Sequence, residues 1–344
     1  MVTLEQIRSS NVRIATELPP DLVSVFLGGT GAVGETTMKQ LAKLAAKPRI
    51  YIQGRSKETG ERLVAELKDL NPEGEYFFIA ADIASLYNVD DFCREIKSKE
   101  SHINLLFMTT GTLASGKDTA EGLPYHTTVV YYARIRVISN LLPLLQRAFS
   151  LRRVVSVFAG TKEGAIDAAD FEGRHLALTA TRPHMAGMMT LALESLALEA
   201  PDVSFVHSFP GSVKTNLGKD VRTAPVMMYR AVWKVIGPLV NIPFAEAGER
   251  QLFLATSARF PARPVGAEAG VAATAGVGVG DGVGVAQGSN GEVGGGVYSV
   301  NFDGEGAPVK VREALQKLRD DDIVRKLWLH TEDVFTRVTG AAFV

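Results

Sequence analysis

The run Val23-Ser24-Val25-Phe26-Leu27, followed by Gly28-Gly29-Thr30-Gly31-Ala32-Val33-Gly34, constrains this chain more than any other stretch. A short apolar run bounded by glycines reads as a buried strand. Val33, Thr37, Leu41 and Leu44 then recur at helical spacing, so the glycines join a strand to a helix. Gly29, Gly31 and Gly34 fit GxGxxG, while Gly28, Gly31 and Gly34 fit GxxGxxG. In either register one glycine makes a tight turn. Another lets a pyrophosphate approach the backbone, and a third lets helix and strand pack closely. The N–H groups of the first helical turn then face the phosphates, with the positive end of the helix dipole behind them. Strand, glycine turn and helix together predict a dinucleotide site; a plain strand-to-helix turn is the alternative.

The rest of the chain repeats the alternation. Arg49 to Gln53, Tyr76 to Ala80, Ile103 to Met108, Arg153 to Phe158 and Val203 to His207 read as strands. They carry apolar runs rather than strict alternation, as parallel strands covered on both faces do. Helical spacing fills the gaps, with long helices over Tyr125 to Ala148 and Pro183 to Ala200. The fold expected is therefore α/β, a doubly wound, mostly parallel Rossmann sheet with helices on both faces and a helical C-terminal extension. Residues 1–20 read as a short helix and a Pro19-Pro20 linker, with Thr3 and Gln6 as a capping box. Residues 21–344 read as a single domain. Within it, 217–262 is a substrate-side flap carrying Val226, Met227, Met228, Val232, Trp233 and Ile236. Residues 263–296 are glycine-rich, floppy at first and then a hairpin in which Val283 to Ala286 and Gly296 to Val300 flank Asn290-Gly291. Residues 297–344 supply the last strand and C-terminal helices.

Composition narrows the partners. Of 344 residues, 46% are hydrophobic and the net charge is -1, so no bulk electrostatic argument favours nucleic acid. Cys93 is the only cysteine, which rules out an intramolecular disulfide and argues against a metal site. The N-terminal residues lack a signal pattern, and Val226 to Phe244 is too interrupted by charge and proline to be a membrane span. A cytoplasmic location is expected, with a small hydrophobic molecule as partner and a homo-oligomer left open.

The end of the second strand selects the cofactor. Asp or Glu there would bind the ribose 2'-hydroxyl of NAD. This strand ends Gln53-Gly54-Arg55-Ser56, with no acid. Arg55 offers a fork of donors to the 2'-phosphate of NADP, and Ser56 a further hydroxyl, so NADP is expected over NAD. Asp82, after the third strand, reads either as an acceptor for the adenine amino group or as a turn residue.

These residues resemble the short-chain dehydrogenase/reductase family. The similarity covers about Val23 to Thr215 and the late strand near Tyr298. It rests on the glycine turn, Gly54-Arg55-Ser56, Ala81-Asp82-Ile83, Thr109-Thr110-Gly111 where the family has Asn-Asn-Ala-Gly, and Pro210-Gly211-Ser212-Val213-Lys214-Thr215 matching PGxVxT. Length and tail are similar to a fungal subgroup tied to secondary metabolism. The resemblance implies NAD(P)-dependent carbonyl or alcohol redox chemistry. It places Gly28, Thr30, Gly31 and Gly34 at the phosphates, Arg55 at the ribose phosphate, Asp82 at adenine and Gly111 at a ribose. Pro210, Gly211, Val213 and Thr215 fall around the nicotinamide.

The family's catalytic residues do not carry over. Phe158 and Ala159 stand where it has a Ser, Arg182 near its Tyr and Ala186 near its Lys. The structural Asn of the fourth helix is also missing, with Val130-Tyr131-Tyr132 in its region. Three rescues arise from the residues. His184 could act as general acid, since imidazole titrates near neutrality, or be a histidine capping a helix start. Tyr131 and Tyr132 could reach the pocket or pack in the core. Lys162-Glu163 lies at the carboxyl edge of the sheet, where ligands bind, or is an exposed loop pair. His207 reads as buried and hydrogen-bonded, and Asp167, Asp170 and Glu172 as a solvated loop. Two functions emerge: an NADP-dependent oxidoreductase of a hydrophobic carbonyl or alcohol, in a tailoring step of secondary metabolism, or a non-redox isomerase, cyclase or nucleotide sensor.

Overall fold

The computed structural model describes residues 1–214, 227, 237, 241–263 and 276–344. Seven strands form one sheet in which every pairing is parallel, in the order β3-β2-β1-β4-β5-β6-β7. They are β1 Val23–Leu27, β2 Arg49–Gly54, β3 Glu75–Ala80, β4 Leu105–Met108, β5 Arg153–Val157, β6 Ser204–Ser208 and β7 Val297–Val300. The order reverses direction between β1 and β4, so their carboxyl ends open a crevice at that switch point. The chain thus forms the expected doubly wound sheet.

Consecutive strand residues serve opposite faces. Val25 packs in one core with α5 (Leu86–Lys99), α7 (Ala133–Gln146) and α8 (Leu178–Glu199), and with the C-terminal helices α10 (Val309–Asp320) and α11 (Ile323–Thr339). Phe26 packs in the other, with α3 (Ala32–Leu44), α4 (Lys57–Leu70), α9 (Phe244–Thr256) and the N-terminal helices α1 (Leu4–Asn11) and α2 (Ile14–Glu17). The Thr3–Gln6 capping box forms at the start of α1. Ile7, Ile14 and Leu18 are buried, so residues 1–20 lie on the sheet's second face.

Three expectations change. The helix expected from Tyr125 begins as a short turn, α6 (Tyr125–Thr127), passes through a π-turn at Thr128–Tyr132, and only then becomes α7. A π-turn fits in an extra residue and rotates the helix beyond it. The end of the expected flap is α9, packed on α3 and α1; Gly248 lets it close on Thr36, whose Oγ1 a Cβ there would meet at 2.7 Å. Of the flap's apolar residues Met227 is exposed, while Val226, Met228, Val232, Trp233 and Ile236 lie outside the described residues. In the glycine-rich stretch, Val283 to Ala286 is not a strand, and one antiparallel bridge, Gln287 to Val293, replaces the hairpin ladder. Residues 276–284 are tied to the N-terminal helices instead: Arg13 donates to Gly278 O and Gln6 to Asp281 O, while Glu17 accepts from Gly278 N. β7 closes the sheet as expected.

Candidate active site

The glycine turn sorts its glycines by what surrounds them. Gly28 has φ +79°, and a Cβ there would meet Thr110 Cγ2 and Thr110 N, both at 2.9 Å. At Gly34 a Cβ would lie 2.6 Å from Thr109 Oγ1 and 2.9 Å from Gly28 O, so this glycine lets α3 approach the strand ends. Gly31 differs, since the nearest atom to its Cβ would be Gly28 O at 4.0 Å. Gly31 is also the N-cap of α3, with no side chain capping the helix. Open space over uncapped helical N–H groups is a cradle that fits a phosphate. Thr30 stands at its rim, packed so closely on Gly54 that a Cβ there would meet Thr30 Cγ2 at 2.5 Å.

The Arg55 side chain is exposed at the end of β2, and no described residue pairs with it. Ser56 caps α4, its hydroxyl accepting from Thr59 N at 3.2 Å. Asp82 does what a turn aspartate does, accepting from Ala84 N at 3.1 Å, and it lines a cavity of about 250 Å³ with Asn88, Asp91, Phe92 and Glu95. Gln53 carries no sequence signal beyond its place in β2. It is buried and joins two strand ends, accepting from Gly28 N at 3.0 Å and donating to Ala81 O at 2.5 Å. Gly111 is exposed just past β4. Beyond β6, Pro210, Gly211 (φ +79°) and Val213 continue along the same edge, with Val213 bridged to Ile242. Thr215 lies outside the described residues.

Behind the ends of β4 and β5 sits Arg134, fully buried on α7. It donates to Thr110 O, to Thr110 Oγ1 at 3.3 Å, to Ser156 Oγ at 2.7 Å and to Val157 O at 3.0 Å. Burial without a carboxylate partner pushes the guanidinium down to about 9. Arg134 thus ties the segment after β4 to the end of β5. A charged residue inside an otherwise apolar helical run was the available signal for it.

The three rescues resolve differently. His184 is buried; Nδ1 accepts from Asp167 N at 3.1 Å, and Nε2 lies 3.4 Å from Phe171 O. Burial lowers its pKa, outweighing Phe171, Asp170 and Asp167. Tyr131 and Tyr132 pack in the core and turn towards α11, reaching Thr331 Oγ1 at 2.8 Å and His330 Nε2 at 2.7 Å. The Lys162-Glu163 pair splits: Lys162 is exposed, but Glu163 is buried. Glu163 Oε1 accepts from Thr190 Oγ1 at 2.7 Å and Ser299 Oγ at 2.6 Å, and His207 Nδ1 lies 3.4 Å away. Burial alone would raise its pKa, yet these donors hold it below the usual carboxylate value. The loop leading to it is strained, because Thr161 has φ +66°, which a β-branched side chain rarely adopts. His207 is buried and bonded as expected. Asp170 accepts from the Arg174 and His175 N–H groups, and Glu172 pairs with Arg174 and Arg337. Among the described residues no cluster of His, Cys, Asp or Glu has the makings of a metal site.

A parallel seven-stranded sheet whose order reverses at an open, uncapped helix start defines a doubly wound α/β protein of the Rossmann type. The sequence profile described as short chain dehydrogenase matches residues 23–127. The protein called Oxidoreductase AN1596, from Emericella nidulans, is 37% identical over 97% of this chain and 98% of its own length. Short-chain dehydrogenase/reductase SAT2, from Stachybotrys chartarum, is 29% identical over 96% of each chain. Among solved structures, the KRED1-Pglu enzyme shares the fold with a TM-score of 0.53 at 18% identity, over 68% of this chain and 94% of its own. The chain belongs to the short-chain dehydrogenase/reductase family. No helix among the described residues is long and apolar enough to cross a membrane.

Proposed function

We propose that this protein is an NADP-dependent oxidoreductase acting on a hydrophobic carbonyl or alcohol, as a tailoring step of fungal secondary metabolism. The observation that carries the reading is the pairing of an open, uncapped cradle at Gly31 with an exposed Arg55 and no carboxylate at the end of β2. Gly28, Thr30, Gly31 and Gly34 would hold the phosphates, and Arg55 and Ser56 the 2'-phosphate. Asp82, Gly111, Pro210, Gly211, Val213 and Thr215 would line the adenine, ribose and nicotinamide ends. When bound, the dinucleotide supplies or takes a hydride. Arg134 would keep the β4 and β5 loops in register beneath it. Both His184 nitrogens face backbone groups, which supports a role in positioning the loop before α8 rather than in donating a proton.

A second reading has its own support. With Phe158, Ala159, Arg182 and Ala186 in place of the family's Ser, Tyr and Lys, the chain would hold the nucleotide as a non-redox enzyme or a sensor. Titration with NADPH and NADH separates the cofactors. NADPH should bind at least about tenfold more tightly, and Arg55→Ala should remove the preference. Equal or tighter NADH binding would overturn the assignment. Incubation with NADPH and a panel of hydrophobic ketones should then oxidise the nicotinamide; binding without oxidation favours the second reading.

A further inference from the structure

We infer that the buried Arg134 charge makes the nucleotide site selective for the reduced, electrically neutral nicotinamide ring over the oxidised, cationic one. This selectivity rests on the nucleotide assignment proposed above and adds the redox form of the ligand. Arg134 is fully buried on α7, and its acceptors, Thr110 O, Thr110 Oγ1, Ser156 Oγ and Val157 O, are all neutral. The Phe158 ring, 5.9 Å from the guanidinium carbon, adds no counter-charge. Arg136, two residues on, makes the contrast: it is also buried, but it faces Asp90 in a bidentate pair. Burial lowers the Arg134 pKa only to about 9, so the side chain carries its charge at neutral pH. A buried cation without a counter-ion projects its potential into the nearest crevice, where low-dielectric walls preserve it.

That crevice is the phosphate cradle and its continuation along the sheet edge. Thr110, which Arg134 holds through two atoms, is also the residue packed on Gly28, where a Cβ would meet Thr110 N and Thr110 Cγ2, both at 2.9 Å. One residue therefore separates the charge from the glycine turn. The turn follows β1 and Arg55 follows β2, so the pyrophosphate and the adenosine half belong over those strands. The nicotinamide half then extends over the ends of β4 and β5, the two segments that Arg134 joins. Carboxylates on neighbouring segments are engaged elsewhere: Asp118 with Arg174, and Glu121 with Ser85 and the Leu86 N–H. Glu163 is the buried anion of the loop after β5, but it bonds to Ser299 on β7, two strand spacings or about 10 Å beyond β5. A positive potential at the β4–β5 edge disfavours the cationic ring and leaves the neutral ring unaffected. The phosphates are common to both redox forms, so their contribution cancels in the comparison.

The test titrates the full chain calorimetrically with NADPH and with NADP+ at pH 7. NADPH should bind at least about tenfold more tightly, as expected for one unit charge acting across a poorly hydrated site. Because Arg134 is shielded from solvent ions, the ratio should hold between about 50 and about 300 mM salt. A ratio that collapses with salt would assign it to exposed cations such as Arg55 and overturn the proposal. Arg134→Gln keeps an amide donor without the charge and should bring the ratio to about threefold or less, whereas Arg134→Lys keeps the charge and should retain most of it. If the two variants lose the ratio equally, or Arg134→Gln weakens both nucleotides alike, the charge is not the selector. The salt titrations use the parent chain, so they decide the matter even where a variant does not fold. Equal affinity for the two nucleotides, or tighter binding of NADP+, overturns the selectivity and leaves the nucleotide site standing; no binding of either removes both.

Discussion

The Ala159 backbone N–H donates to His207 Nε2 at 3.1 Å, which fixes the direction of a buried chain of hydrogen bonds. With Nε2 accepting, the imidazole proton is assigned to Nδ1, 2.8 Å from Thr190 Oγ1. Thr190 and Ser299 then donate to Glu163 Oε1. The chain links β5, β6, β7 and α8 beneath the loop that carries Lys162. His207→Leu removes the acceptor for Ala159 and the donor to Thr190, which itself donates to the buried Glu163 carboxylate. It should cost about 2–4 kcal/mol in chemical denaturation, the range for stranded buried polar groups. Glu163 has a folded pKa below its ordinary 4.5, so it contributes stability above that pH that is lost as pH falls through the folded value. Glu163→Gln should therefore flatten the loss of stability below pH 4.5; an unchanged acid limb would show the carboxylate is not the titrating group.

The two neighbouring glycines at the phosphate cradle should behave differently when replaced by alanine. Gly31→Ala meets no protein atom within contact distance, so its melting temperature should stay within a few degrees of the parent. The added methyl fills the cradle, and NADPH affinity should fall at least about tenfold. Gly34→Ala drives a Cβ into Thr109 Oγ1 and the Gly28 carbonyl, so stability should drop by about 1–3 kcal/mol along with binding. Thermal melting with and without NADPH reads both. Loss of fold in Gly31→Ala would mean the turn, not the ligand, requires that glycine.

The sheet, its strand order and the glycine turn were legible because they depend on local patterning: apolar runs of strand length, helical spacing between them, and glycines at the junction. Arg134 and Glu163 were not. Glu163 sits beside Lys162 in a context that reads as an exposed loop pair, and Arg134 is marked only as a charge within a largely apolar helical run; its partners at Thr110, Ser156 and Val157 come from packing between distant segments. The π-turn was hidden for a similar reason, since Thr128 to Tyr132 has no breaker to announce it. Tyr131 and Tyr132 could be read as site or core from periodicity alone. Their orientation depends on the extra residue in that turn and on α11, whose Thr331 and His330 lie about two hundred residues further along. In the glycine-rich stretch, residues 264–275 lie outside the described residues. Where the stretch is described, Gln6, Arg13 and Glu17 satisfy its backbone groups at 278 and 281, contacts between distant segments that composition does not announce.

Three histidines should make the fold sensitive to mild acid. Burial lowers the pKa of His126, His184 and His330 below the ordinary 6.5, against weaker opposing contacts. The unfolded chain therefore binds more protons than the folded one as pH drops under 6.5, and stability falls in that direction. The melting temperature should decline between pH 7.5 and 5.5 and change little between 7.5 and 8.5. His184→Asn can still accept from Asp167 N, so it should soften the decline while remaining folded. If the variant keeps the full pH dependence, His184 is not one of the groups that take up protons on unfolding.

The closure of α5 against α7 rests on a buried ion pair. Arg136 donates bidentately to Asp90, Nε to Oδ1 and Nη2 to Oδ2, each at 2.7 Å, and both side chains are almost wholly shielded from water. Asn140 adds a donor to Asp90 at 2.9 Å, and Arg136 Nη1 reaches Ala341 O and Ala342 O at 2.8 and 2.7 Å. The pair therefore also holds the residues after α11. Asp90→Ala leaves a guanidinium buried without its counter-charge, which should cost about 3–5 kcal/mol in urea unfolding. Arg136→Met alone should cost a similar amount, because Asp90 keeps only Asn140. The double variant should be less destabilised than the sum of the singles, since neither charge is then stranded. Additive costs would mean that Arg136 acts mainly through the Ala341 and Ala342 carbonyls. In that case Arg136→Met should expose residues 340–344 to carboxypeptidase while Asp90→Ala leaves them protected.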